Sequence, residues 1–412
     1  HWMMPLEDYI EDIAPKEVYE NSWLAIEHNG EIISNQKPYP VSARWPEETG
    51  RPTIMQYVAH NISHLPWNSP KWAFDMLKEA EKINHMEGFA YYVGGSALQS
   101  PDYDLLGKAL AYYGKYDVPY SDDPWVDILE ERFGDRAAAQ HFLNAYNISG
   151  DITPAVSQIA WCAHDGRATG QFILKYWHWT EKDPRHSYYT CPARGDILIP
   201  PRLYAKTVAK LGDSFWDNNG SDYTRNVDLG EGPGAHGHPG AQELVWGHID
   251  YQDTPQMHMQ KIRKMGEACL AEAEAGIKTV KKNQDQATRL LHQMKSYQLL
   301  TVYYEKKVQA ACAALVYGFG GDSKYKAMAE ASGDEAVEAF SVAANYLWEN
   351  IANKNPNVKA GWWDEQKDFL GLIETEKKDR AEMAELFEWS DRPVQTEKME
   401  PANLGTTTRK EE

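Results

Sequence analysis

The sequence predicts an α/β segment followed by a large all-α domain. Three observations lead there. Three short runs of strand-forming residues lie within the first 120 positions, with a helical stretch between the second and third. From Asp123 onward, apolar residues recur at helical spacing instead. Residues 257–317 then continue that spacing without a single proline.

The first run, Asn21 to His28 (NSWLAIEH), closes on a charged pair and the turn dipeptide Asn29-Gly30. The second, Thr53 to Ala59 (TIMQYVA), is rich in β-formers and introduced by Pro52. A helix follows. Ser69-Pro70 supplies a capping hydroxyl and a first-turn proline, and Trp72, Met76, Leu77, Ala80 and Ile83 fall at helical spacing. Gly88 to Val93 (GFAYYV) is the third run, closed by Gly94-Gly95. Strand, helix, strand at this pitch is a parallel βαβ unit. Three strands cannot close a barrel by themselves, so either further strands precede them or they form a small open sheet.

Pro124 to Phe133 and Asp135 to Tyr146 read as two helices parted by Gly134. Residues 150–255 are dense in Gly, Pro, Asp, His and aromatics, and are expected to be a long irregular insert with short helices near residues 200–218. Met257 to Tyr317 reads as two long antiparallel helices breaking near Lys281 to Gln286, and a further helix spans about Asp334 to Asn353. The expected organisation is 1–120 as the α/β part, 121–396 as the helical domain and 397–412 as a disordered tail.

Composition excludes more than it selects. A formal net charge of −19 disfavours nucleic acid and anionic membranes, both of which want a Lys/Arg surface. No apolar run approaches the roughly 20 residues of a membrane span. The opening His1-Trp2-Met3-Met4 reads as the interior of a longer protein, so the lack of a signal peptide says nothing of compartment. Cys269 and Cys312 fall in helical apolar patterns and read as packed thiols; Cys162 and Cys191 bracket one irregular stretch and are a candidate pair, the bond requiring their Cα atoms to approach. Oligomeric state is not legible.

Residues 105–155 (LLGKALAYYGKYDVPYSDDPWVDILEERFGDRAAAQHFLNAYNISGDITP) resemble the junction after the last barrel strand in large polysaccharide-degrading glycoside hydrolases of the α-glucuronidase type. The helix pair around Asn283 to Tyr317 resembles the core of the helical domain in that group. The likeness covers about residues 50–350 and includes no catalytic motif. It implies that the first 120 residues are the closing strands of a (β/α)8 barrel, with the remaining strands upstream. It also implies a carbohydrate substrate and a periplasmic or extracellular setting.

Glycoside hydrolysis needs two carboxyl groups flanking the bond, one to protonate the leaving oxygen and one to attack the sugar or activate water. In parallel α/β architectures the site lies at the C-terminal ends of the strands. Glu27 is therefore the catalytic candidate, the bland alternative being an ordinary strand-end carboxylate. Its partner acid is expected upstream, with Asp102 and Asp104, in the loop after the third strand, as alternatives more suited to binding hydroxyls or capping a helix. His28, His60, Asn61, His64, Trp67 and Tyr92 offer donors and a stacking face at the same ends. Arg44 offers a fork for an acidic sugar, or a plain salt bridge.

Two other clusters carry weaker readings. His236, His238, Glu243 and His248 sit in a Gly-rich run whose spacing matches no standard zinc site. Trp177, Trp179, Tyr188 and Tyr189 are a sugar-contacting wall or a small loop core. No phosphate cradle, nucleophile elbow or dinucleotide fingerprint occurs. The expected function is a glycoside hydrolase acting on a polysaccharide or oligosaccharide, acidic ones included, with no cofactor and no metal. The alternatives are a non-catalytic carbohydrate-binding or scaffold module, and a metal-dependent hydrolase or lyase built on the His-rich loop.

Overall fold

The computed structural model describes residues 24–28, 50, 52–58, 69–82, 84–92, 100–157, 204–205, 208–210, 212–217, 254–352, 370–384 and 387. Three strands form one parallel sheet in sequential order: β1 (Leu24–His28), β2 (Thr53–Val58) and β3 (Met86–Tyr92). Between β2 and β3 runs helix α1 (Pro70–Ala80), the crossover that parallel pairing requires. The three strands overlap the expected runs, but the crossover helix, expected to run to Met86, ends at Ala80, and β3 begins at Met86 rather than Gly88.

Register is regular between β1 and β2, with Leu24 opposite Thr53, Glu27 opposite Gln56 and His28 opposite Tyr57. Between β2 and β3 it slips once. Thr53 pairs with Met86 but Ile54 pairs with Gly88, so Glu87 is the extra residue of a bulge. From there Gln56 faces Ala90, Tyr57 faces Tyr91 and Val58 faces Tyr92.

The expected closing strands of a barrel are not found. Among the described residues the sheet stops at three strands, stays open, and the chain is mostly helical. Closure needs the last strand to meet the first at a consistent tilt and shear. Here β1 and β3 each pair on one side only, and β3 instead lies against α1. Local periodicity reads strands one at a time and cannot count how many share a sheet.

Helix α2 (Ser100–Tyr116) follows β3. Asp102 and Asp104 lie at its start, where a loop was expected. Its buried positions Leu105, Leu106, Ala109, Leu110 and Tyr113 make one helical stripe. An aromatic knot ties the sheet's crossover helix to the bundle. Phe74 of α1 meets Tyr113 edge-on at 4.7 Å, and Tyr113 lies 6.0 Å from Trp125. The Tyr113 hydroxyl donates to the Ser121 carbonyl at 2.6 Å, which satisfies the polar end of a ring with no exposed surface.

Helix α3 (Asp123–Phe133) has Pro124 in its first turn and ends at Gly134, whose φ of 76° only glycine adopts without strain. Helix α4 (Arg136–Ser157) starts with the Asp135 carboxylate accepting from the Ala138 N–H at 3.0 Å. It continues past Tyr146, the expected end, through Gly150 and Pro154. Gly150 is needed there because a Cβ would collide with the backbone and side chain of Ser69, at the start of α1.

A short helix α5 (Asp213–Asp217) precedes the main bundle of α6 (Pro255–Gly276), α7 (Gln284–Gly320) and α8 (Ser323–Leu347), the last running into a π-helical turn at Trp348–Ala352. Helix α9 (Gly371–Glu382) lies against α8. Thr254 caps α6 through its hydroxyl, which accepts from the Met257 N–H, and Pro255 fills the first helical position. The bundle is a row of neighbours, α3 on α4, α4 on α6, α6 on α7 and α7 on α8. Helix α7 lies between α6 and α8 in that row, with Tyr303, Ala310, Cys312, Ala313 and Ala314 fully buried. Small residues let the helices close in: at Gly266 a Cβ would strike Thr301 of α7. Cys269 and Cys312 are buried free thiols, each pushed up to about 12 by burial, as the packed-thiol reading expects. Cys162 and Cys191 lie outside the described residues.

Candidate functional site

The strand C-termini converge on one edge of the sheet. Glu27 is the penultimate residue of β1, in register with Gln56, which is in register with Ala90. One residue further, His28, Tyr57 and Tyr91 form the next row, and Tyr92 ends β3 opposite Val58. Asp102 lies in the first turn of α2, the helix that follows β3. The backbone thus gathers Glu27, His28 and Tyr92 at the end of the sheet that parallel α/β architectures use for ligands, while Asp102 is placed at the start of α2.

Two features of this edge constrain chemistry. Strands lie about 4.8 Å apart, so a group on the neighbouring strand would sit at the spacing of a retaining pair of carboxyls. The neighbour of Glu27 in register is Gln56, however, and the residue beyond it is Ala90. Glu87 is the other carboxylate on the described strands, and it lies at the bulge near the opposite end. Among the described strand residues no second carboxylate stands beside Glu27. Arg44, His60, Asn61, His64 and Trp67 lie outside the described residues, as do the His236–His248 run and the Trp177–Tyr189 run.

An open groove of about 470 Å³ lies beside the exposed side of α2. It is lined by Asp104 and Lys108 of α2, Ile128, Glu131 and Arg132 of α3, and Asn283 and Gln286 at the start of α7. Arg132 donates to Asp104 at 2.9 Å with a side chain only 10% exposed, and Lys108 reaches the same carboxylate at 3.2 Å. The turn before α7 is tied to the end of α3. The Asn283 amide donates to the Arg132 carbonyl at 2.7 Å, and the N–H groups of Lys281 and Lys282 both donate to the Phe133 carbonyl.

Sequence reasoning missed a third cluster, in the bundle. Lys307 of α7 donates to Glu376 at 2.5 Å and to Asp379 at 2.6 Å, both on α9, and the Tyr303 hydroxyl donates to Glu376 at 3.0 Å. Exposures of 2%, 0% and 1% for Lys307, Glu376 and Asp379 exclude a substrate, so the cluster fastens α9. Burial raises Glu376 to about 7; the Asp379 charge adds to that, while Lys307 and the Tyr303 hydroxyl oppose it. The signal in the sequence was a lysine in the apolar stripe of α7, at helical spacing from Tyr303 and Ala310, and an i, i+3 carboxylate pair on a polar helix. The described bundle histidines likewise hold structural partners: His141 pairs with Glu272 at 2.7 Å and His258 with the Ala155 carbonyl at 2.7 Å.

Among the described residues, no group of three or more His, Cys, Asp or Glu is placed to hold a metal ion, and no helix is long and apolar enough to cross a membrane. No protein-family model matches the sequence, and no curated protein does. A solved structure matches with a TM-score of 0.65 at 15% identity: a GH138 enzyme targeting pectin rhamnogalacturonan II.

The chain shares its fold with part of that enzyme.

The match covers 90% of this chain and 53% of that one, so the chain spans about half the length of the enzyme. The likeness is to a GH138 enzyme and does not support the α-glucuronidase type specifically. At this identity it is a likeness of fold.

Proposed function

We propose that this chain is part of a glycoside hydrolase acting on an acidic plant polysaccharide of the pectic class. The observation that carries the reading is the fold likeness over 90% of the chain to an enzyme targeting pectin rhamnogalacturonan II. The parallel strand edge adds to it, because it supplies Glu27 at the position where such architectures deliver a reacting carboxyl. In this reading Glu27 donates a proton to the leaving oxygen or attacks the anomeric carbon, and the second carboxyl comes from elsewhere in the protein. His28, Tyr92 and Asp102 hydrogen-bond sugar hydroxyls at the same edge. His60, Asn61, His64 and Trp67 extend the contact beyond β2, and Arg44 meets a uronate carboxylate through its fork.

The test is incubation of the full-length protein with rhamnogalacturonan II oligosaccharides, following new reducing ends. Release of a sugar is expected. Binding without release would favour the second reading, a carbohydrate-binding module, which the lone carboxylate on the described strand edge supports. Neither binding nor release would remove both.

A further inference from the structure

The exposed side of α2 carries a ridge that the strand edge does not use. Asp104, Lys108, Tyr112 and Tyr116 follow one another at intervals of four, so they share one row along the helix, about 18 Å from first to last at 1.5 Å per residue. Its two ends differ in chemistry. Asp104 and Lys108 form one wall of the polar groove completed by Glu131, Arg132, Asn283 and Gln286. Tyr112 and Tyr116 are 39% and 52% exposed, which is unusual for large rings in a helix that buries its apolar stripe elsewhere.

The two rings stand 5.0 Å apart, tilted by 49°. Tyr112 is braced edge-on by the buried Tyr113 at 5.4 Å, and Tyr113 is itself locked by its bond to Ser121. The Lys115 ammonium lies over the Tyr116 ring at 4.8 Å, which orients that ring and places a cation beside it. At the groove end, the largely buried Arg132 and the tethered Asn283 are equally fixed. A rigid row of this kind binds with little ordering cost.

We propose that this ridge is a second oligosaccharide-binding surface, separate from the strand edge, which holds a polysaccharide chain against Tyr112 and Tyr116 and along the groove. The surface rests on the carbohydrate reading above, and its own chemistry selects the occupant. Pyranose rings present an apolar face to an aromatic ring and hydroxyls around their rim, and the ridge offers ring faces in one half and fixed carboxylate, guanidinium and amide groups in the other. A protein partner fits poorly, since two tyrosines beside a charged groove fall far short of the about 800 Å² per side that a stable interface buries. Lys108 and Arg132 are already paired with Asp104, so Lys115, over the Tyr116 ring, is the cation that a uronate on the rings meets.

The experiment compares the full-length wild-type protein with the Tyr112→Ala, Tyr116→Ala double variant, in which both replaced rings are exposed. Native gels containing polygalacturonate read binding, and reducing-end release from short rhamnogalacturonan II oligosaccharides reads the strand-edge site. The expected result is retardation of the wild type, at least a tenfold weaker retardation constant for the variant, and unchanged release from the short substrates. Equal retardation of the two proteins, or none for a wild type that still releases sugar, overturns the second surface while leaving the proposed function standing. Absence of both retardation and release overturns the proposed function, and this surface with it.

Discussion

Lys307→Met is expected to lower stability by about 3–5 kcal/mol, through loss of the ammonium that two buried carboxylates share. In the native protein that one ammonium faces Glu376 and Asp379, with the Tyr303 hydroxyl on the far oxygen of Glu376. Without Lys307 the two acids must take up protons or α9 must leave its seat. The other fastening of α9, Arg380 on Asp334 and on the Glu330 carbonyl of α8, lies nearer the surface and does not compensate a buried charge. Urea denaturation followed by circular dichroism measures the loss. A variant as stable as the wild type would show that the cluster does not fasten α9.

The same cluster sets a pH dependence whose sign follows from its charge count. Glu376 is raised above its ordinary value, to about 7, so the folded protein binds a proton that the unfolded chain has released. Its stabilising contribution is therefore complete below about pH 4.5 and is lost as pH rises through about 7. The loss is on the order of 3 kcal/mol for a shift of this size. Glu376→Gln leaves Lys307 and Asp379 as a balanced pair and is expected to remove that slope between pH 5 and 8. Parallel slopes for wild type and variant would contradict the assignment.

The second large effect belongs to the strand edge. Glu27→Gln is expected to reduce kcat on pectic oligosaccharides by about 10²–10⁴-fold, the range of a positioned acid or base, with substrate affinity kept. The amide keeps the shape of the side chain and removes the acidic proton and the carboxylate nucleophile. A change in KM alone would make Glu27 a binding residue. An unaltered kcat would remove it from the site altogether, leaving an ordinary end to β1.

These two predictions differ in how far the sequence alone exposes them. The position of Glu27 was legible, because an apolar run of β-formers ending in a charged pair marks a strand terminus, and β1 ends at His28. The pairing of α6 and α7 was equally legible from their unbroken 3.6-residue period, and the break falls where the polar Lys281-Lys282-Asn283 run interrupts it. Helix α9 was not legible. Its buried positions are Glu376 and Asp379, so its inward face carries charge and no apolar stripe announces it. Helix α2 was obscured in a similar way by Pro101, Gly107 and Gly114, and its start was read as a loop. The barrel expectation failed for a different reason, since strand number in a sheet is a non-local property. What stands beside Glu27 is non-local too: register puts Gln56 and Ala90 there, and neither carries a carboxyl.

Hydrogen–deuterium exchange of the full-length protein, with and without rhamnogalacturonan II oligosaccharides, tests the location of the site most directly. The strand-edge assignment predicts slowed exchange at residues 26–28, 56–58 and 90–92 and in the first turn of α2, beyond any protection at residues 108–116. Protection confined to the bundle helices, with the strand ends unchanged while the substrate is being hydrolysed, would contradict it.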